Sequence, residues 1–190
     1  AKAIGVAAAD IPATDSRGNV WFGTASLGAC RFDGKTFAWI SQEELEFNEK
    51  DQRTFGTRSI IEDRDGKLWI TNTRNRFDVS PSPTASTTQG AGGLRYVKLP
   101  GLSHRADRED EPYTFIISMT KDNAGDLWMA TYGAGVWRYD GKSLTHYPVL
   151  VKGEPITVFS IYCDREGHLW LGTHEHGVCK FNGKAFDKVK

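Results

Sequence analysis

The chain has 190 residues and a mass of 21.1 kDa, enough to bury a real core as one domain. Its 24 basic and 24 acidic side chains cancel, which argues against global attraction to nucleic acid or an anionic membrane. No apolar run approaches the ~20 residues that span a bilayer, so neither a nucleic-acid partner nor membrane insertion is expected.

The stretch from Ala1 to Ala9 is too short for an intact signal peptide and reads as the first strand of a repeat. The first copy of a recurring pattern follows, Asp15-Ser16-Arg17-Gly18-Asn19-Val20-Trp21-Phe22-Gly23-Thr24. Asp opens a tight turn by accepting backbone N–H groups ahead of it, and Gly three residues later suits the positive φ that closes a bulged hairpin. Val20-Trp21 then reads as a half-buried strand. Asp33-Gly34 marks a second hairpin, for which a type I′ turn with positive φ at both central residues is expected. Four antiparallel strands, a to d, result. Pro12 stands in strand a, so that strand is distorted or has its amide side facing no partner.

Residues 41–54 are highly charged and read equally as a short helix or a solvated loop. The second copy, Asp63 to Asn72, keeps Gly66, Leu68 and Trp69. Its third strand is blurred. The preferred alignment ends strand c at Arg76-Phe77-Asp78 and places a Ser/Thr/Pro-rich insertion, 80–93, before strand d at Leu94–Leu99. The other alignment makes Gly93–Tyr96 strand c. Residues 101–112 alternate in charge and read as a solvated connection. The third copy, Asp122 to Thr131, and the fourth, Asp164 to Thr173, are regular, with hairpin marks at Asp140-Gly141 and Asn182-Gly183. In the fourth repeat the strands are expected near 157–163, 168–174, 177–181 and 185–189.

Trp21, Trp69, Trp128 and Trp170 thus recur at intervals of roughly 40–60 residues. Four-stranded units at that period indicate an all-β fold, a β-propeller of four-stranded antiparallel blades, with each Trp packed between neighbouring sheets. The blades are placed at about 4–40, 55–99, 113–149 and 157–189 in a single domain. A four-bladed ring is favoured; half of an eight-bladed ring made by two chains, or a piece of a longer propeller, are the alternatives. Cys30, Cys163 and Cys179 form no metal spacing and are read as buried thiols.

The pattern resembles the two-component-regulator propeller repeat, in which a Ser-containing strand precedes D-x-x-G-x-L-W-x-G-T and then G-[LV]-x-[RK]-[FY]-[DN]. Ser118–Tyr147 and Ser160–Phe186 carry the resemblance best. It implies a sensory propeller of a bacterial signalling protein, extracytoplasmic (periplasmic or secreted) and non-catalytic.

In this strand order the a–b and c–d turns share one face, and the b–c turns and d–a connections share the other. The second face carries the long variable segments, and variable loops on a rigid scaffold are where binding usually lives. The candidate ligand-binding residues there are Arg58, Tyr113, Phe115, Tyr132, Phe159, His174 and His176. A small molecule or oligosaccharide is one partner class, and a protein is another. His174-Glu175-His176 offers two imidazoles but no third ligand at a useful spacing, so no metal and no cofactor are expected. The repeated turn aspartates are explained by turn formation, and no catalytic set is assigned. The competing readings are a propeller enzyme of lyase or glycosidase type and a protein-interaction scaffold.

Overall fold

The computed structural model describes residues 13–45, 56–80, 94–102 and 116–189. Among the described residues every regular element is a β-strand, and no helix is long and apolar enough to cross a membrane. The chain divides into two compact units, Ala1–Glu62 with Gly66–Leu99, and Asp63–Asp65 with Pro100–Lys190.

The first unit holds two four-stranded meanders. β1 (Ala13–Thr14), β2 (Val20–Gly23), β3 (Ala29–Phe32) and β4 (Phe37–Ile40) form the first, and β5 (Ile60–Glu62), β6 (Leu68–Ile70), β7 (Arg76–Ser80) and β8 (Arg95–Leu99) the second. Both are antiparallel in sequence order, the form short hairpins impose. β7 pairs with β8 from Arg76↔Leu99 to Ser80↔Arg95, so strand c is the Arg76 segment and the long insertion precedes strand d. Alternation sends Trp21 inward with Ile60, Leu68, Ile70 and Phe77. Ser41 and Glu44 form a reciprocal cap: Glu44 Oε2 accepts the Ser41 N–H at 2.8 Å and Ser41 Oγ accepts the Glu44 N–H at 3.3 Å. That single turn, too short to count as a helix, delivers Leu45 to the core. The rest of the 41–54 segment, like Pro12 and residues 81–93, lies outside the described residues.

The second unit holds β9 (Ile116–Lys121), β10 (Leu127–Thr131), β11 (Val136–Tyr139) and β12 (Leu144–Tyr147). A small hairpin, β13 (Leu150–Val151) and β14 (Glu154–Pro155), follows. β15 (Val158–Cys163), β16 (Leu169–Thr173), β17 (Val178–Phe181) and β18 (Phe186–Lys188) complete it. Their bounds differ from the expected ones by a residue at most ends, because the flanking positions are absorbed by the turns. Trp128 is buried against Phe181 and Phe186, its ring 5.0 and 6.3 Å from theirs in edge-on contacts. The Ile161 N–H donates to Ser118 Oγ at 3.2 Å, which gives the repeated strand-a serine a role in joining successive blades. Asp126, almost fully buried, accepts from Arg138 Nε at 2.7 Å and Arg64 Nη2 at 2.6 Å. Arg64 also donates to the carbonyls of Asp140 and Ala124. The four blades give the chain the all-β, four-stranded-blade architecture of a β-propeller.

Two expectations are corrected. The Asp-Gly and Asn-Gly turns are not type I′: φ is positive at Gly34, Gly141 and Gly183 (92°, 95° and 96°) but not at the residue before each. The reason is that the preceding side chain is needed as a cap. Asp33 Oδ1 accepts the N–H groups of Lys35 and Thr36 at 2.9 and 2.8 Å, and Asp140 and Asn182 repeat the arrangement. The turn with two positive φ values falls at Lys152-Gly153 (54° and 87°), between β13 and β14. The thiols are free; Cys30 and Cys179 are buried, but Cys163 is only partly so. Burial raises the Cys30 thiol to about 11 and also lifts Cys179 and Cys163, with the charges of Asp122 and Asp164 adding at Cys163.

Two stability changes are expected. A Cβ at Gly23 would lie 2.0 Å from the Thr57 carbonyl oxygen, so Gly23→Ala must displace backbone and should cost ~1–3 kcal/mol or more in denaturant unfolding. Lys152→Asn relieves a left-handed residue that Asn tolerates, and should gain up to ~1 kcal/mol in the same measurement.

Candidate functional site

At one end of each blade the a–b turn is organised by a carboxylate. Asp164 Oδ1 accepts the N–H groups of Glu166 and His168 at 3.1 and 2.8 Å, while Oδ2 accepts the Trp170 indole N–H at 2.7 Å. Asp122 and Trp128 (2.8 Å) and Asp15 and Trp21 (2.9 Å) repeat the link. The Trp170 bond, working against a smaller desolvation effect, holds Asp164 at about 2. At Asp15 burial pushes the carboxyl up, but bonds from Trp21 and Asn19 outweigh it and the net shift is downward. Backbone N–H groups hold Asp33 and Asp140 at about 2.

Asp164, Glu166 and His168 bring three potential metal-ligand atoms within 4.8 Å of one another. In sequence the cluster is marked only by a D-x-E-x-H spacing within a turn. The geometry favours a turn: both Asp164 oxygens are engaged by N–H donors, His168 Nδ1 lies 3.1 Å from Oδ2, and Glu166 and His168 are exposed. The same positions in the first and third repeats hold Arg17 with Asn19 and Ala124 with Asp126, which make the same turn without a ligand triad.

The opposite end carries the b–c turns. Thr131 Oγ1 donates to the Gly135 carbonyl at 2.8 Å, and Thr173 Oγ1 does the same to Gly177. Thr173 Oγ1 also accepts the His176 N–H at 3.0 Å. His174-Glu175-His176 is therefore a threonine-capped turn. His174 Nδ1 lies 3.4 Å from its neighbour Glu175, and His174 is exposed while His176 is partly covered.

Strand a enters at this same end, and its pairing is interrupted there. Val158 pairs with Thr173 and Ser160 with Gly172, which leaves Phe159 as an extra residue in a β-bulge. The bulge turns Phe159 outward, 42% exposed, with its ring 5.3 Å from His174. The third blade has the same shift, but its bulge residue, Ile117, is buried. Arg58 occupies the matching place in the second blade; it is exposed, and its N–H donates to Thr71 Oγ1 at 2.8 Å. Of the residues singled out from sequence, the structure brings Phe159 and His174 together. Tyr132 is exposed on the Thr131–Gly135 turn, and Tyr113 and Phe115 lie outside the described residues. The bulge was missed because a one-residue insertion leaves no mark in an apolar pattern.

Residues 110–133 and 152–175 match the two component regulator propeller family. No curated protein matches the chain in sequence. Among solved structures, the extracellular domain of the putative hybrid two component system BT3049 from B. thetaiotaomicron is 23% identical, with TM-score 0.55 over 94% of this chain and 22% of that one. PorZ, a bacterial surface component of the type-IX secretion system of Porphyromonas gingivalis, is 16% identical, with TM-score 0.57 over 97% and 28%. Virginiamycin B lyase from Staphylococcus aureus is 14% identical, with TM-score 0.52 over 94% and 54%. The chain thus spans about a fifth of that extracellular domain and about half of the lyase, and at these identities the likeness is one of fold.

The turn carboxylates make an acid prediction. Asp33, Asp140 and Asp164 have folded values depressed to about 2. Their stabilisation is therefore complete above the unfolded value of roughly 4 and is lost as pH falls toward about 2. Denaturant midpoints should drop across that window. Asn182 already makes the turn with an amide, so Asp33→Asn with Asp140→Asn should fold normally and flatten the pH dependence.

Proposed function

Since the chain carries two-component-regulator propeller repeats, we propose that it is a ligand-sensing, non-catalytic propeller segment of a bacterial signalling protein. Its ligand, on this reading, binds at the end of the blades that carries the b–c turns and d–a connections. The observation that supports this most is the bulge that turns Phe159 out against His174, since bulges commonly re-aim side chains beside functional sites. An exposed aromatic face beside an imidazole suits the apolar face and hydroxyls of a sugar ring or a small aromatic molecule. Arg58 and Tyr132, exposed on the corresponding ends of their own blades, are proposed as further contacts, with His176 as a polar neighbour.

An extracytoplasmic location is part of the same proposal, motivated by the family and by the likeness in fold to the extracellular domain of a putative hybrid two component system. The lyase reading has the fold likeness alone behind it and is not advanced.

Thermal-shift screening of the chain against neutral oligosaccharides and small aromatic acids tests the proposal. At least one compound should raise the melting temperature, because a ligand of the native state stabilises it. Phe159→Ala should weaken that compound about tenfold or more without lowering the melting temperature of the free protein, since the side chain is exposed. A shift that survives both Phe159→Ala and His174→Ala would place the ligand elsewhere.

A further inference from the structure

One pair of positions is built in two ways along the chain. Arg31 and Arg138 each lie opposite the repeat tryptophan, in the pairs Trp21↔Arg31 and Trp128↔Arg138. Asn19 and Asp126 each stand four residues after the turn aspartate and give it their backbone N–H. In the third blade the two side chains meet: Asp126 Oδ2 accepts Arg138 Nε at 2.7 Å and also its Nη2. In the first blade Asn19 turns back instead, its amide donating to both oxygens of Asp15 at 3.1 and 2.8 Å. Arg31 is 8% exposed, and its buried Nε has no hydrogen-bond partner. Its Nη2 lies 3.9 Å from Asp33 Oδ2, which already accepts the Thr36 hydroxyl.

Arg31 lines a narrow cleft between the first two blades, together with Arg17, Asn19, Glu62 and Val79. The other polar groups on its wall are engaged. Asp15 is held by Trp21 and Asn19, and Glu62 accepts the Ser16 N–H and hydroxyl at 2.6 and 2.9 Å. Arg17 donates to the Val79 carbonyl at 3.0 Å. The buried guanidinium therefore brings to this cleft a charged donor in need of an acceptor.

We infer that this cleft binds a small carboxylate anion, which takes against Arg31 the place that the Asp126 side chain takes against Arg138. One carboxylate oxygen accepts from both Nε and Nη2, as that of Asp126 does, and such charge-assisted bonds are the strong ones. The narrowness of the cleft sets the size, that of a formate or acetate ion. The site lies at the a–b turn end of the blades and does not rest on the ligand face proposed at the other end.

A formate titration tests it, read by melting temperature and by the nitrogen-15 NMR signal of the Arg31 Nε–H group, assigned through its disappearance in Arg31→Lys. Formate should move that signal along a saturating curve. It should also raise the melting temperature by about 2–4 °C at roughly ten times its dissociation constant. Asn19→Asp supplies the carboxylate from the chain itself, in a turn that the third blade already builds with two aspartates, so it should remove both responses. Lys142→Gln makes the same change in net charge at an exposed position and should keep both. An Arg31 signal that formate leaves in place would overturn the inference, and so would equal responses in wild type and Asn19→Asp. A response lost in Lys142→Gln as well would mark a general charge effect and overturn it too.

Discussion

The structure depends on a carboxylate that does three things at once. Its first oxygen collects the N–H groups two and four residues ahead, and its second takes the indole N–H six residues ahead. The hairpin is thereby closed and the tryptophan fixed in one orientation by a single side chain at the surface. Without the indole bond a tryptophan on this strand would bury an unpaired N–H between sheets, a costly arrangement. With it, the polar atom is held at the rim while the ring enters the core. At Asp15 and Asp164 the same bonds favour the charged carboxylate, so turn geometry and acid sensitivity are coupled there.

The repeats are the same in plan and differ where their neighbours differ. In the third blade Asp126 is clamped by Arg138 and Arg64. In the first, Asn19 stands in that place and binds back to Asp15, and the buried Nε of Arg31 has no hydrogen-bond partner. An ion pair has been exchanged for a local amide bond at the cost of one unsatisfied donor. The turn survives because its closure rests on the aspartate alone.

Turns fixed by an aspartate and turns of variable composition occupy opposite ends of the blades. The side chains that open the a–b and c–d turns accept the backbone N–H groups just ahead of them. The b–c turns are closed by a threonine hydroxyl, so the residues between threonine and glycine are free to vary: Tyr132, Gly133 and Ala134 in one blade, and His174, Glu175 and His176 in the next. The bulge in strand a adds a second variable position at this end, filled by a buried isoleucine in one blade and an outward phenylalanine in the other.

The four strands per repeat, the bulged a–b hairpins and the inward tryptophans were all legible in the sequence, because each follows from contacts between residues close along the chain. The position of the third strand in the irregular second repeat was legible for the same reason, since it must leave an outer strand to pair. The sequence also pointed to the variable loop end and to Phe159 and His174 individually. The capping of the c–d turns is local too, but Asp-Gly fits either turn form; tertiary structure alone decided that a register shift brings those two rings together and that Trp170 is only partly buried where Trp21 and Trp128 are buried. These depend on which strand lies opposite a residue and on what covers a sheet, and distant segments supply both.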